Sequence, residues 1–489
     1  MSAAKRLKLR VLVPQLRADE RRLRAFANDT LARAIEVQAD HNAYISLIGT
    51  DQLDERLREL TTLPDGQKAK LPLYGVPLAV KDNICWRGAP TTCASKILAN
   101  YRPTYNATVV ERLEKAGAVV VGKTNLDEFA FGSSNETSAF GPVTHPLDPS
   151  RIPGGSSGGS AVAVAAGSVP LALGSDTGGS TRQPAAFCGV YGLKPTYGRL
   201  SRHGLVAFAS SMDQIGIFAK NPDDVRLAFD ACAGPDSSDS TSAVPPEIFP
   251  ENFDPCAGFT VGYVREHRGA EGIQPEVAQA FDRLLEKFAV MGCRIVEVSI
   301  PSGVHSIAVY VLTALAEASA NLARFDGVNY GVRLDEMPGE VVFGPEADRL
   351  LRMYAATRGL GFGDEVKRRI MLGTFALAEG YYDAYYLRAQ RVRTKIRAEL
   401  DAAFARVGLI VSPTFPTTAF KLGEISGKPL ATFLGDLFTN PANLAGLPAL
   451  SVPWGEDEKD LPIGMQLMGP AFSEERLFTA AEALAAAAG

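Results

Sequence analysis

The stretch Gly154–Pro195, GGSSGGSAVAVAAGSVPLALGSDTGGSTRQPAAFCGVYGLKP, constrains this chain more than any other. Two Gly/Ser clusters, Gly154–Ser160 and Thr177–Arg182, flank the apolar run Ala161–Leu173. Glycine lets backbone N–H groups come close to a ligand, because no Cβ stands in the way. The apolar run reads as a helix over Ala161–Gly167 and then a buried strand over Val169–Leu173. Two loops rich in hydroxyls, joined so tightly, predict one site. The chemistry they suit is acyl transfer by a serine nucleophile.

The rest of the chain supplies a scaffold for that site. LPLYGVPLAVKDN reads as a buried strand ending at Lys81, an unusual place for a cation. Thr108–Ala116 reads as a helix and Ala118–Val121 as a strand, with a further helix after Asn125. Phe259–Val264 and Arg294–Val298 read as strands flanking a helix over Val277–Met291, and Leu409–Ser412 as another buried strand. This alternation predicts an α/β fold with a central mixed sheet covered by helices. The expected organisation is a helical segment over 1–62 and one large domain over 63–489, with 305–400 mostly helical. Residues 358–369, RGLGFGDEVKRR, read as a polar loop, and 234–246 as an exposed one.

Composition excludes several classes. A formal net charge of −5 does not suit a chain that grips nucleic acid by its overall charge. The six cysteines are scattered without a C-x-x-C pair, which points to free thiols in a reducing cytosol. No unbroken apolar run approaches the roughly 18 residues of a membrane span, and the N-terminus lacks a leader's apolar core. The expectation is a cytoplasmic protein without membrane contact or a metal site.

Two motif matches fail on context. Gly117–Thr124, GAVVVGKT, fits the phosphate-loop pattern, but its variable residues are themselves a strand and cannot curl around a phosphate. Gly154–Gly158 fits the nucleophile-elbow pattern, yet LDPSRIP before it cannot form a central strand. His203, His267 and His305 follow in polar or turn settings and read as surface residues.

GGSSGGSAVAVAAG followed by GSDTGGSTRQPAAFCGVYGLKP, with Lys81 upstream, resembles the amidase signature family over nearly the whole chain. Within it, FGPVTHPLDPSRIPGGSSGG and FTNPANLAGLPALSVP are similar to the branch of A subunits of aspartyl/glutamyl-tRNA amidotransferases. The resemblance implies Ser180 as nucleophile, Ser156 on a cis peptide as bridging serine, and Lys81 as general base. Backbone N–H groups of Thr177, Gly178, Gly179 and Ser180 would form the oxyanion hole. Arg358 would pair with the α-carboxylate of glutamine and Asp436 with its ammonium, with Tyr310 lining the pocket. Phe131 stands where the pattern has methionine, and its ring is expected to narrow the acyl pocket. The implied activity is glutamine hydrolysis through an acyl-enzyme, the ammonia serving ATP-dependent conversion of Glu-tRNA(Gln) or Asp-tRNA(Asn). The implied partners are subunits B and C in a heterotrimer, with ATP, Mg and most tRNA contacts on the partners and no cofactor in this chain. The alternative readings are a stand-alone amidase for small amides and a non-catalytic scaffold subunit.

Overall fold

Short runs of buried aliphatic and small residues form strands that join a single sheet. They are β1 (Tyr44–Leu47), β2 (Pro77–Lys81), β3 (Val119–Thr124), β4 (Leu171–Asp176), β5 (Tyr191–Lys194), β6 (Gln214–Ala219), β7 (Thr260–Val264), β8 (Arg294–Val298), β9 (Leu409–Pro413), β10 (Ala449–Glu456) and β11 (Pro462–Met468). The computed structural model describes residues 8–246, 259–334, 348–424 and 435–488. In space the order is β1-β3-β2-β4-β6-β5-β10-β11-β9-β7-β8. β2 runs parallel to β3 and β4, and β7 parallel to β8 and β9. The other pairings are antiparallel, so a mixed sheet carries a parallel group towards each end.

Helices cover both faces. One apolar core runs from Leu9 through the sheet to Leu484, and a second gathers Phe131, Tyr310, Phe362 and Leu444. The N-terminal segment is helical over Leu9–Ala18, Glu20–His41 and Thr50–Thr61, but it also contributes β1 to the sheet edge. Asp19 caps the second helix, its carboxylate accepting from the Arg21 and Arg22 N–H groups, as a short acidic side chain does at a helix start.

Several sequence expectations change. The expected helix after Asn125 is only the 3-10 turn Glu128–Ala130, with positive φ at Phe129 and Ala130. Its chain is bent by Asp127, whose carboxylate takes the N–H of Asn135 at 2.8 Å and the Thr137 hydroxyl at 2.9 Å. Residues 358–369 are helical apart from Phe362 and Gly363, between helices Arg349–Gly361 and Asp364–Leu377. Their charges pair along the helix surface, Lys367 with Asp364 and Arg368 with Glu365, which sequence alone reads as loop polarity.

His267 is buried rather than exposed, its ring edge-on to Phe438 at 5.1 Å, and burial lowers its pKa to about 4. Pro301–Arg324 is long and apolar enough on average to cross a membrane, although charged residues at its end interrupt the run. Half of it is buried, and Gly373 on the neighbouring helix lets the two backbones meet: a Cβ there would lie 1.9 Å from Leu315 O. It is a core helix of this domain. The five described cysteines are buried thiols outside any disulfide, Cys256 lying outside the described residues.

Candidate active site

β2, β3 and β4 run parallel, so their carboxyl ends share one edge of the sheet, the place where ligand crevices form in such folds. Lys81 is the last residue of β2 and has no exposed surface. Its Nζ lies 2.8 Å from Ser156 Oγ, 2.8 Å from Ser157 Oγ and 2.9 Å from Ser175 Oγ. Burial lowers its pKa from 10.5 to about 7, against the upward pull of Asp127, Asp176 and Asp213. A lysine so placed is substantially neutral near pH 7 and carries a basic lone pair among hydroxyls. Ser156 follows the one cis peptide bond recorded for the described residues, Gly155–Ser156.

The first Gly/Ser cluster sits tightly because its residues are small. A Cβ on Gly159 would lie 2.4 Å from Ala43 O, so only glycine lets the helix Gly158–Ala165 approach so closely. The second cluster starts where β4 ends. Ser180 C=O accepts the Ser157 N–H at 3.2 Å and so ties the two clusters together. Thr439 Oγ1 donates to Gly178 O at 2.6 Å, and Gly179 has φ +143°. The loop 177–181 is closed by a buried ion pair between Asp176 and Arg182 at 3.0 Å. Burial alone would raise the Asp176 carboxyl, but the Arg182 guanidinium outweighs it and holds the pKa at about 2.

Beside this loop lies a polar group. Tyr310 packs directly over Gly178, where any Cβ would meet its ring at 2.6 Å. Asp436 is buried, and its pKa is pushed up to about 8 by burial, with Arg369 pulling in the opposite direction. Both charges act on Tyr310, whose hydroxyl burial pushes well above its ordinary value. Asp436 and Tyr310 therefore stand together.

Arg358 does not join them. It donates to Leu322 O at 2.8 Å and Phe325 O at 3.1 Å, and lies over the Phe362 ring. Of the two cations acting on Asp436, Arg369 and Arg182, the stronger is Arg369, only 3 % exposed and bonded through Nε to Glu365 at 2.7 Å. Both arginines lie in the segment that reads as a loop, which hides their faces. The overlooked signal is the helical stripe Val366, Arg369, Gly373, Ala376, which places a cation among small and apolar residues. Ser157, Ser175 and the Asp176–Arg182 pair also escape a sequence reading, because a serine or an ion pair gives no periodic mark.

The phosphate-loop match fails in the structure as well. Lys123 lies within β3, has no exposed surface, and pairs with Asp82 at 2.9 Å. No group of three or more His, Cys, Asp or Glu suited to a metal occurs among the described residues.

The sequence model of the family described as Amidase matches residues 25–478. The chain is 52% identical over 457 residues to the A subunit of the glutamyl-tRNA(Gln) amidotransferase of Synechococcus sp. (strain RCC307), covering 93% of this chain and 92% of that one. It is 53% identical over 421 residues to the protein of the same name from Trichodesmium erythraeum (strain IMS101), covering 85% and 84%. The crystal structure of the A subunit of the glutamyl-tRNA(Gln) amidotransferase from Thermotoga maritima superposes with a TM-score of 0.78 at 40% identity, covering 98% of this chain and 94% of that one. With the family's match, these likenesses and one continuous sheet bearing the buried lysine and its serines, this chain belongs to the amidase family.

Proposed function

We propose that this chain is the glutaminase subunit of a tRNA-dependent amidotransferase. The observation that carries the chemistry is Lys81, fully buried, with a depressed pKa and three hydroxyls within 2.9 Å. Ser180 Oγ attacks the side-chain amide carbon of glutamine while its proton passes through the Ser156 hydroxyl to neutral Lys81. The oxyanion is met by N–H groups of Thr177, Gly178, Gly179 and Ser180, each such donor typically worth about 3 kcal/mol. Lys81 returns the proton to the departing ammonia. Water then attacks the γ-glutamyl ester, activated through the same hydroxyls, and glutamate is released.

Substrate choice follows from the neighbouring charges. Glutamine is a zwitterion, and the buried Arg369 offers a cation for its carboxylate and Asp436, once ionised, an anion for its ammonium. Arg369 takes the role that the resemblance gave to Arg358. A stand-alone amidase for small neutral amides has no use for a buried arginine acting on a buried carboxyl, so this pair favours glutamine.

The names of the relatives support membership of an amidotransferase built from several chains. We place the ammonia acceptor, Glu-tRNA(Gln) or Asp-tRNA(Asn), with ATP and Mg on partner subunits B and C, and the assembly in the cytoplasm. The strand Val119–Thr124 leaves the phosphate-loop match Gly117–Thr124 without a phosphate-cradling loop. The test is glutamine hydrolysis by the chain alone, then with its co-expressed partners, ATP and misacylated tRNA, beside Ser180→Ala. Weak activity alone, stimulation in the complex and loss in the variant are expected. Fast partner-independent hydrolysis of simple amides with glutamine ignored would favour the stand-alone amidase.

A further inference from the structure

We infer that Glu128 is a positioning residue for substrate binding, whose buried carboxylate fixes the start of the helix Asp364–Leu377 and so holds Arg369 in place. The inference rests on the reading of Arg369 as the partner of the substrate carboxylate.

Gly363 stands immediately before that helix and has no side chain with which to cap it. In a capping box, a glutamate three residues into the helix would reach back to this N–H, but Val366 occupies that place. Glu128 makes the contact from elsewhere in the chain. Both of its carboxylate oxygens accept the Gly363 N–H, at 2.9 and 3.1 Å. An anion at this end is also favoured by the helix dipole. The approach is close enough to require glycine, since a Cβ on Gly363 would lie 2.2 Å from Glu128 Oε2. The Ser95 hydroxyl holds the other side of the group, donating to Glu128 Oε1 and lying 3.2 Å from Gly361 O.

The same turn touches Arg369 itself. The Phe131 N–H closes the turn on Glu128 O at 2.9 Å, and the Arg369 guanidinium lies over the Phe131 ring, 5.5 Å from its centroid. Phe129, between them, packs edge-on against Phe362 with centroids 5.6 Å apart. The turn therefore grips the helix at Gly363 and again at the arginine. Its other end is anchored to the serine cluster: the Asp127 N–H donates to Ser156 O at 3.3 Å, and a Cβ on Gly155 would lie 2.2 Å from Asp127 Oδ2. Farther along the helix, Gly373 sits against Leu315 O, so Arg369 lies between two fixed points.

Removing the carboxylate takes the partner from the Gly363 N–H and frees the first turn of the helix. A substrate that binds through Arg369 should then bind less well, and an amide without a carboxylate should not notice.

The test is steady-state hydrolysis of glutamine and of a short aliphatic amide by the co-expressed complex, carrying Glu128→Ala, Glu128→Gln, Arg369→Gln or the first and third together. We expect Glu128→Ala to raise KM for glutamine about three- to tenfold with kcat within about twofold, and to leave kcat/KM for the aliphatic amide within about twofold. Glu128→Gln keeps an acceptor for the Gly363 N–H and should restore most of the loss. In the Arg369→Gln background, Glu128→Ala should add no further rise, because it acts through the arginine. Gly363→Ala, which presses on the carboxylate from the opposite side, should raise the glutamine KM in the same way, and serves where Glu128→Ala does not fold. If Arg369→Gln raises KM while Glu128→Ala does not, or the two effects add, the inference fails and the reading of Arg369 stands. Equal losses of kcat on both substrates would make Glu128 a packing residue and overturn the inference. If Arg369→Gln leaves KM unchanged, the reading of Arg369 fails and the inference with it.

Discussion

The carboxylate of Asp176 and the guanidinium of Arg182, neither with any exposed surface, meet at 3.0 Å and close the loop that carries Ser180. Both ends of the loop are thereby fixed. Asp176 Oδ2 also accepts the Thr181 N–H at 3.1 Å, and Arg182 reaches Gln466 Oε1 and Asn443 Oδ1, each at 2.5 Å. The pair fixes the loop whose backbone N–H groups are the proposed oxyanion donors.

Asp176→Asn should therefore damage both stability and rate. It leaves the buried Arg182 without its anion, a change that typically costs about 3–5 kcal/mol. Urea unfolding should report that loss. Where the variant folds, kcat should fall more than KM rises, because the loop's donors serve the transition state.

The pH profile separates two groups. Lys81 must be neutral to accept a proton, and its pKa is lowered to about 7, so activity should fall as pH drops through 7. Asp436 must be ionised to hold the substrate ammonium, and its pKa is raised to about 8. For glutamine, kcat/KM should rise up to about pH 8, and steeply below 7 where both groups are protonated. For an amide without an ammonium, only the step near 7 should remain. Initial rates with the two substrates, from about two units below the lysine's pKa to one above the carboxyl's, check this.

The same raised pKa predicts a stability effect of defined sign. Between 3.8 and about 8 the folded protein keeps a proton on Asp436 that the unfolded chain has lost. Its contribution is fully present below 3.8 and is lost as pH rises to about 8. Asp436→Asn, neutral at every pH, should be more stable than the parent at about pH 8 by up to about 5 kcal/mol, with little difference at about pH 4. Glutamine KM should rise at the same time, a trade of binding for stability. Thermal melts at the two pH values give the comparison.

What can be read from the sequence has a physical pattern. β2, β7, β8, β9 and the helix Pro275–Val290 are legible because each is an apolar or periodic run bounded by turns. Lys81 stands out because a cation ending such a run is out of place, whereas the roles of Ser156, Ser180 and Arg358 come only from the family resemblance. The helix Asp364–Leu377 is hidden because residues 358–369 mix glycine with dense charge, and that mixture looks alike in a loop and on an exposed helix. The buried face of that helix becomes visible only once Gly373 is seen against Leu315 O. The β1 strand is hidden by brevity, four residues between two charged helices. Phe131 reads in sequence as a wall of the acyl pocket, and its contacts with Arg369 and Phe208 are tertiary and leave no sequence mark.

The central claim is that glutamine is cleaved through an ester on Ser180. The most direct measurement is peptide mapping by mass spectrometry after the co-expressed complex reacts with an electrophilic glutamine analogue. One covalent adduct on Ser180, blocked by excess glutamine and lost in both Ser180→Ala and Lys81→Ala, is the predicted result. Labelling on another residue, or undiminished glutamine hydrolysis by Ser180→Ala, would contradict it.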